Sequence, residues 1–338
     1  MPFRVRFPAI LMLIMVGALS AAIPRAAFAE SQARAVRADS AVTRYRTANV
    51  DGIDIFYREA GMADAPAVLL LHGFPTSSHM FRNLIPVLAH RYRVIAPDYP
   101  AFGHSGTPDR HEFKYSFARF AELMDGLLNQ LRVERYALYV QDYGAPVGYR
   151  LALRHPERIT ALVVQNGNAY EEGLKQFWNP IKAYWADGSD AHREALRAGL
   201  TPAATKSQYL DGVRDPSRVA PDVWLHDQAL LDRPGIDEIM LDLFKDYGSN
   251  VALYPHFHAF FRSRRPPTLI VWGKNDVIFP ADGARAYLRD LPDAELHLLD
   301  TELTQQAVDQ LGGAREAVLE RETIRRAAVT ERRMGNEP

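Results

Sequence analysis

Cysteine is absent from all 338 residues. That excludes a disulfide framework, an N-terminal lipid-modified Cys, a thiol catalyst and a thiolate metal site. A surplus of charge of either sign is also missing: 40 Lys and Arg face 41 Asp and Glu, a formal net charge of −1. The basic residues are scattered and form no stripe, so no nucleic-acid partner is expected. Low-complexity tracts and internal repeats do not occur. No helix carries paired His at i and i+4, and no metal or cofactor is expected. What the chain does have is a 47% hydrophobic content with ordinary Gly and Pro, enough to bury a full core.

The N-terminus follows its own logic. Arg4 and Arg6 precede an apolar run from Pro8 to Ala22, followed by Pro24, Arg25 and the small-residue site Ala27-Phe28-Ala29. The run falls short of the ~20 residues of a membrane-spanning helix. Residues 1–29 therefore read as a secretory signal peptide cleaved after Ala29. The expected location is periplasmic or secreted, with no stable membrane anchor after cleavage.

From Val42 onward short strands alternate with helical stretches, the pattern of a mostly parallel sheet covered on both faces. Ile53 to Tyr57 alternates with period two, and Ala67 to Leu71 is a continuous apolar run, as a strand buried on both faces requires. That run ends in His72-Gly73-Phe74-Pro75. A helix is expected from about Met80 to His90, a strand over Arg93–Ala96, and an amphipathic helix over Tyr115–Leu131. Tyr136–Val140 and Ile159–Val164 read as strands flanking a helix from Ala145 to His155. Between Ala169 and Arg264 the alternation stops and helical segments rich in Trp, Tyr and Phe take over, the reading of an inserted helical cap (169–264). Strand signals return at Thr268–Trp272 and Glu295–Leu299, around a helix near Ala281 to Leu291. The core thus comprises 42–168 and 265–300.

Asp142 stands where the strand Tyr136–Val140 runs through Gln141 into a helix, with Gly144 two residues on. A sharp strand-to-helix turn pushes its central side chain out of the sheet edge, beside a helix N-terminus whose dipole favours an anion. A carboxylate so placed can attack a saturated carbon bearing a leaving group and form an alkyl ester. On its own, an Asp before a helix is more often a cap. The flanking motifs decide for chemistry.

His72-Gly73-Phe74-Pro75-Thr76-Ser77-Ser78, with Arg82-Asn83-Leu84-Ile85-Pro86 and Val140-Gln141-Asp142-Tyr143-Gly144, resembles the haloalkane dehalogenases and the related epoxide hydrolases of the α/β-hydrolase superfamily. The resemblance runs from about residue 45 to residue 300. It implies an α/β-hydrolase fold with Asp142 as nucleophile and the backbone N–H groups of Phe74 and Tyr143 as the oxyanion hole. It also implies Asp276, in Trp272-Gly273-Lys274-Asn275-Asp276, as the acid that orients the base. Some dehalogenases carry that acid after the strand that follows the nucleophile helix, where this chain reads Asn166-Gly167-Asn168. Glu171 and Glu172, just beyond, are expected to be exposed.

The resemblance breaks at the base. Such enzymes read Asp-Thr-Gly-His-Phe after the last strand, but this chain reads Asp300-Thr301-Glu302-Leu303-Thr304, and none of its 11 His follows His297. His297 is expected to face away from the site. No aromatic residue follows Tyr287, and residues 301–338 are dominated by Arg, Glu, Ala and Gln. The tail is atypical, and a frameshift after Thr301 would account for it. Attack by Asp142 needs no base, whereas hydrolysis of the ester does, so the protein is expected to stall as a covalent ester.

The leaving group is approached through the cap. A departing halide needs N–H donors, which Trp178, Trp185 and Trp224 could supply, and epoxide opening needs a hydroxyl such as that of Tyr184, Tyr209, Tyr247 or Tyr254. The residues flanking the nucleophile, Phe74 and Tyr143, offer no side-chain N–H. Val140 and Thr76-Ser77-Ser78 favour the dehalogenase side, Phe74 the epoxide side. Trp178, Tyr184 and Trp185 are the expected contacts of a small, largely apolar organic substrate. The reading that emerges is a dehalogenase-like hydrolase, with epoxide hydrolysis and non-catalytic ligand binding as alternatives.

Overall fold

The structure, a computed structural model, describes residues 41–300. Eight strands form one sheet: β1 (Arg44–Val50), β2 (Ile53–Ala60), β3 (Ala67–Leu71), β4 (Arg93–Pro97), β5 (Tyr136–Gln141), β6 (Ile159–Gln165), β7 (Thr268–Gly273) and β8 (Glu295–Leu299). Their order is β1-β2-β4-β3-β5-β6-β7-β8. β1 and β2 pair antiparallel, as do β2 and β4, and every later pair is parallel. The parallel strands are the apolar runs of the sequence: all six residues of β5 and all six of β7 are buried. Such burial on both faces demands helices on both sides.

Those helices are α1 (Leu84–Ala89), α2 (Phe117–Gln130) and α3 (Gly144–Arg154). The expected helix from Met80 breaks in two, a 3₁₀ turn over Ser78–Phe81 and then α1. In α2 the Ser116 hydroxyl caps the N-terminus by accepting from the Arg119 N–H at 3.2 Å, and Phe117, Phe120, Leu123, Met124, Leu127 and Leu128 form the buried stripe. A stripe at this spacing turns one helix face onto the sheet.

No strand lies between β6 and β7. Seven α-helices occupy the interval: α4 (Asn179–Asp187), α5 (Asp190–Leu196), α6 (Pro202–Leu210), α7 (Pro221–Leu231), α8 (Ile236–Asp246), α9 (Gly248–Val251) and α10 (Tyr254–Arg264). α11 (Ala281–Ala286) follows β7 and ends in a 3₁₀ turn over Tyr287–Arg289, so the helix expected to run to Leu291 is shorter than its pattern. Arg193 and Arg197, on α5 and just after it, pair with Glu238, and Arg193 and Arg110 both grip Asp242, which ties α5 and α8 to the loop before α2. Residues 1–29 and 301–338, which carry the readings of a signal peptide and an atypical tail, lie outside the described residues. Among the described residues no helix is long and apolar enough to cross a membrane.

Candidate active site

β5 ends at Gln141, and the chain reverses into α3 through Asp142, which adopts a left-handed φ of 48°. A non-glycine residue in that region is strained, and strain of this kind marks functional turns. Two glycines make the turn sterically workable. A Cβ on Gly144 would collide with the Leu71 carbonyl of β3, and a Cβ on Gly73 would collide with the Asp142 side chain itself. The His-Gly-Phe-Pro turn therefore lies directly against Asp142.

The backbone N–H groups of Phe74 and Tyr143 face the Asp142 carboxyl and draw its pKa down. Asp142 is only 8% exposed, and its Oδ1 has no hydrogen-bond partner among the described residues. Burial pushes its pKa up to about 8; the two N–H groups pull it down, and the negative charge of Asp276 adds to the rise. Desolvation outweighs the donors because the lining is almost wholly apolar.

Asp276 follows β7. Its Oδ1 accepts from the N–H groups of Ile278 and Phe279, each at 2.8 Å, and its Oδ2 accepts from the Asn166 side-chain amide. Burial raises its pKa to about 6 against these three donors. Asn166 is a residue that the sequence reading passed over. It adopts φ 39° just after β6; its backbone carbonyl accepts from the Asp142 N–H at 3.3 Å and its Oδ1 from the Gly273 N–H at 3.3 Å. One residue thus joins the Asp142 backbone, the Asp276 carboxyl and the end of β7. The break in the family pattern at this very position was the signal that could have found it.

A cavity of about 350 Å³ opens over Asp142. Phe74, Tyr143, Trp178, Ile181, Leu196, Phe244, Tyr247, Ile278 and Phe279 are among its walls, with Ser207, Gln208 and Asp211 as a polar edge. Of the three expected substrate contacts only Trp178 lines it. Trp185 is turned aside, its indole stacked on Tyr247 at 5.8 Å and 7° and its Nε1–H donated to the Phe244 carbonyl. Tyr184 accepts from Arg193 at 3.0 Å and stands off the cavity. Trp178 spends its own Nε1–H on the Ile278 carbonyl at 2.7 Å, and Trp272 spends its on the Phe279 carbonyl. The fourth Trp, Trp224, packs near Tyr209 in a separate small cluster. Donors committed to backbone carbonyls are not offered to a halide.

Hydroxyls stand nearer. Tyr143 and Tyr247 both line the cavity, and the Asp142 charge raises the pKa of both, after burial. The hydroxyls of Tyr143 and Tyr247 are both buried with no hydrogen-bond partner among the described residues. Tyr209 bonds Asp227 instead.

No His lines this cavity. His72 is buried beneath the turn, its Nδ1 at 2.9 Å from the Gly73 carbonyl and its Nε2 accepting from the Tyr99 N–H. His297 pairs with Glu295, two residues back on the same face of β8. His258 reaches the Ala169 carbonyl. Glu171 is exposed, and Glu172 pairs with Arg289. Among the described residues no group of three or more His, Asp or Glu could hold a metal ion.

Geometry and sequence likeness converge on one class. Residues 66–302 match the model of the α/β-hydrolase fold family, and the chain belongs to that family. It is 48% identical over 255 residues to an uncharacterized hydrolase of Saccharomyces cerevisiae, covering 74% of this chain and 87% of the yeast protein. A haloalkane dehalogenase of Bradyrhizobium diazoefficiens is 34% identical over 176 residues, 52% of this chain and 56% of that protein, so the match spans little more than half the dehalogenase's length. Among solved structures, a hydrolase from Pseudomonas aeruginosa superposes with a TM-score of 0.64 at 25% identity, over 82% of this chain and 97% of that one. A haloalkane dehalogenase variant from Bradyrhizobium elkanii gives 0.62 at 23% identity, over 82% and 95%, a likeness of fold.

Proposed function

We propose that the protein is a hydrolase acting through an alkyl ester of Asp142 on small apolar electrophiles, with epoxides taken in preference to haloalkanes. The observation that carries the reading is Asp142 on its left-handed turn, faced by the N–H groups of Phe74 and Tyr143 at the floor of an apolar cavity. A carboxylate oxygen bonds to the substrate carbon as the carbon–oxygen bond of the ring breaks. The departing alkoxide takes a proton, for which Tyr143 and Tyr247 are the phenol hydroxyls among the cavity walls. Halide departure has weaker support, because the indoles of Trp178, Trp185 and Trp272 are committed elsewhere. The dehalogenase relatives keep that second reading open to the same assay.

Water must then attack the ester, and the two N–H groups would stabilise the oxyanion that forms. The sequence has no His after His297 to activate that water, so the ester accumulates. Intact-mass measurement after incubation with styrene oxide and, separately, with 1-bromobutane tests both halves. The expected result is one adduct per chain with the epoxide, absent in Asp142→Asn. An adduct with the bromoalkane alone makes the protein dehalogenase-like. Ligand binding without adduct or turnover in either case makes it a binding protein. Export to the periplasm or beyond belongs to the same proposal, and a mature N-terminus at Glu30 is its check.

A further inference from the structure

The cavity over Asp142 is charged in one sense only. Asp142 at its floor and Asp211 at its edge both line it, and among the described residues no Lys, Arg or His does. Asp142 is buried, whereas Asp211 is exposed, as are Phe177 and Val277 of the same lining, so these three mark the mouth. Asp211 follows α6 directly, and its N–H donates to the Ser207 carbonyl at 2.9 Å. A helix C-terminus carries partial negative charge, which favours a cation and disfavours a carboxylate. Asp211 thus adds a full charge to an end that is already negative. Lys206, on the same helix, is outside the lining, its ammonium over the Trp224 ring at 5.8 Å.

Between mouth and floor the walls are apolar and rich in aromatic rings, Trp178, Phe244 and Phe279 among them. At the floor, Asp142 Oδ1 and the hydroxyls of Tyr143 and Tyr247 are buried polar atoms without partners among the described residues. Such atoms carry a desolvation cost that a bound polar group removes. The cavity is therefore polar at both ends, with groups for a reacting oxygen below and negative potential above. An anionic substrate would meet two carboxylates and no compensating cation. A wholly apolar one would fill the middle and leave Asp211 unused. An ammonium head answers both the carboxylate and the ring faces, which attract cations. We infer that the cavity selects electrophiles with a cationic head: the reactive carbon at Asp142, an apolar body between the rings, and a tertiary or quaternary ammonium at Asp211. Asp211 is then the residue that sets specificity.

The inference deepens the proposed function and rests on it for the reacting end, so binding and chemistry are read separately. Phenyltrimethylammonium and its uncharged isostere tert-butylbenzene, neither of which carries an epoxide ring, are titrated against the full chain at pH 7 by tryptophan fluorescence. The ratio of their association constants, cation over isostere, should fall about fivefold in Asp211→Asn, the upper end for one exposed ion pair, and further in Asp211→Lys. Repeating the comparison on the Asp142→Asn background removes any charge at the floor and should give the same fall. An equal ratio in wild type and Asp211→Asn overturns the inference, as does absence of phenyltrimethylammonium binding. Chemistry is then read by intact mass with styrene oxides bearing a para trimethylammonium or a para tert-butyl group. The effect of each head on ring reactivity is the same in every variant, so the ratio of the two alkylation rates should fall in Asp211→Asn by the same factor. If neither epoxide alkylates Asp142 while the binding ratio falls, the proposed function fails and the charge selection stands. If both alkylate at a ratio that Asp211→Asn leaves unchanged, the proposed function stands and the inference fails.

Discussion

The raised pKa of Asp142 makes a quantitative demand on the first chemical step. Only the ionised carboxylate attacks carbon, so the alkylation rate follows the ionised fraction. With the midpoint at about 8, that fraction is about 1% at pH 6, about 9% at pH 7 and about 90% at pH 9, by the tenfold-per-unit rule. The second-order rate of adduct formation with styrene oxide should therefore rise about 90-fold from pH 6 to pH 9 and level off above. Burial is the leading cause of the shift, and Asp276 adds to it, so Asp276→Asn should move the rise to lower pH. Quenched-flow sampling with intact-mass readout measures the rate, and the spontaneous reaction is subtracted with Asp142→Asn. A profile flat from pH 6 to pH 9, or one that falls, would refute the argument, because the nucleophile would then be ionised throughout.

The same shift bears on stability. A folded pKa of about 8 against the ordinary aspartate value of 3.8 means that the stability present below pH 4 is lost as pH rises toward 8, by at most about 5–6 kcal/mol. Asp142→Asn should accordingly melt higher than wild type at pH 8 and nearly equal to it at pH 4 by calorimetry; equal melting at both would show that the site relaxes on ionisation. Asp276→Asn should cost about 2 kcal/mol in urea unfolding, since its new amide would face that of Asn166 donor to donor, and adding Asn166→Asp should recover at least half of the loss. Gly144→Ala should cost more than about 4 kcal/mol or prevent folding, because its Cβ meets backbone, the Leu71 carbonyl, which cannot step aside. Soluble protein with native melting would contradict that geometry.

Much of this architecture was legible in the chain because the parallel strands announce themselves. β3 and β5 are buried on both faces and read as apolar runs, and the turn after each is marked by glycine. β1 was missed for the converse reason: only its final residue, Val50, is buried, and an edge strand exposed along most of its length leaves no period-two trace. Boundaries slipped where apolar spacing outlasted the backbone. The pattern from Met80 to His90 is continuous, yet the chain makes a 3₁₀ turn before α1 because Ser77 caps it at His79.

The site was legible unevenly, and the unevenness has one cause. Asp142, Asp276, Phe74 and Tyr143 sit on turns whose sequence constraints are local, so the motifs were enough to place them next to one another. Trp178, Tyr184 and Trp185 were chosen by side-chain type, and type says nothing of where an N–H points. Each indole found a carbonyl from a different segment, Ile278 for Trp178 and Phe244 for Trp185, contacts separated by 100 and 59 residues. Asn166 was hidden in the same way: it looked like the place where an acid was missing, whereas it donates to the acid that arrives from β7, 110 residues away. An amide there and a carboxyl at 276 form one hydrogen-bonded unit, and exchanging the two is neutral only if the unit, rather than either position, is what orients the catalytic groups.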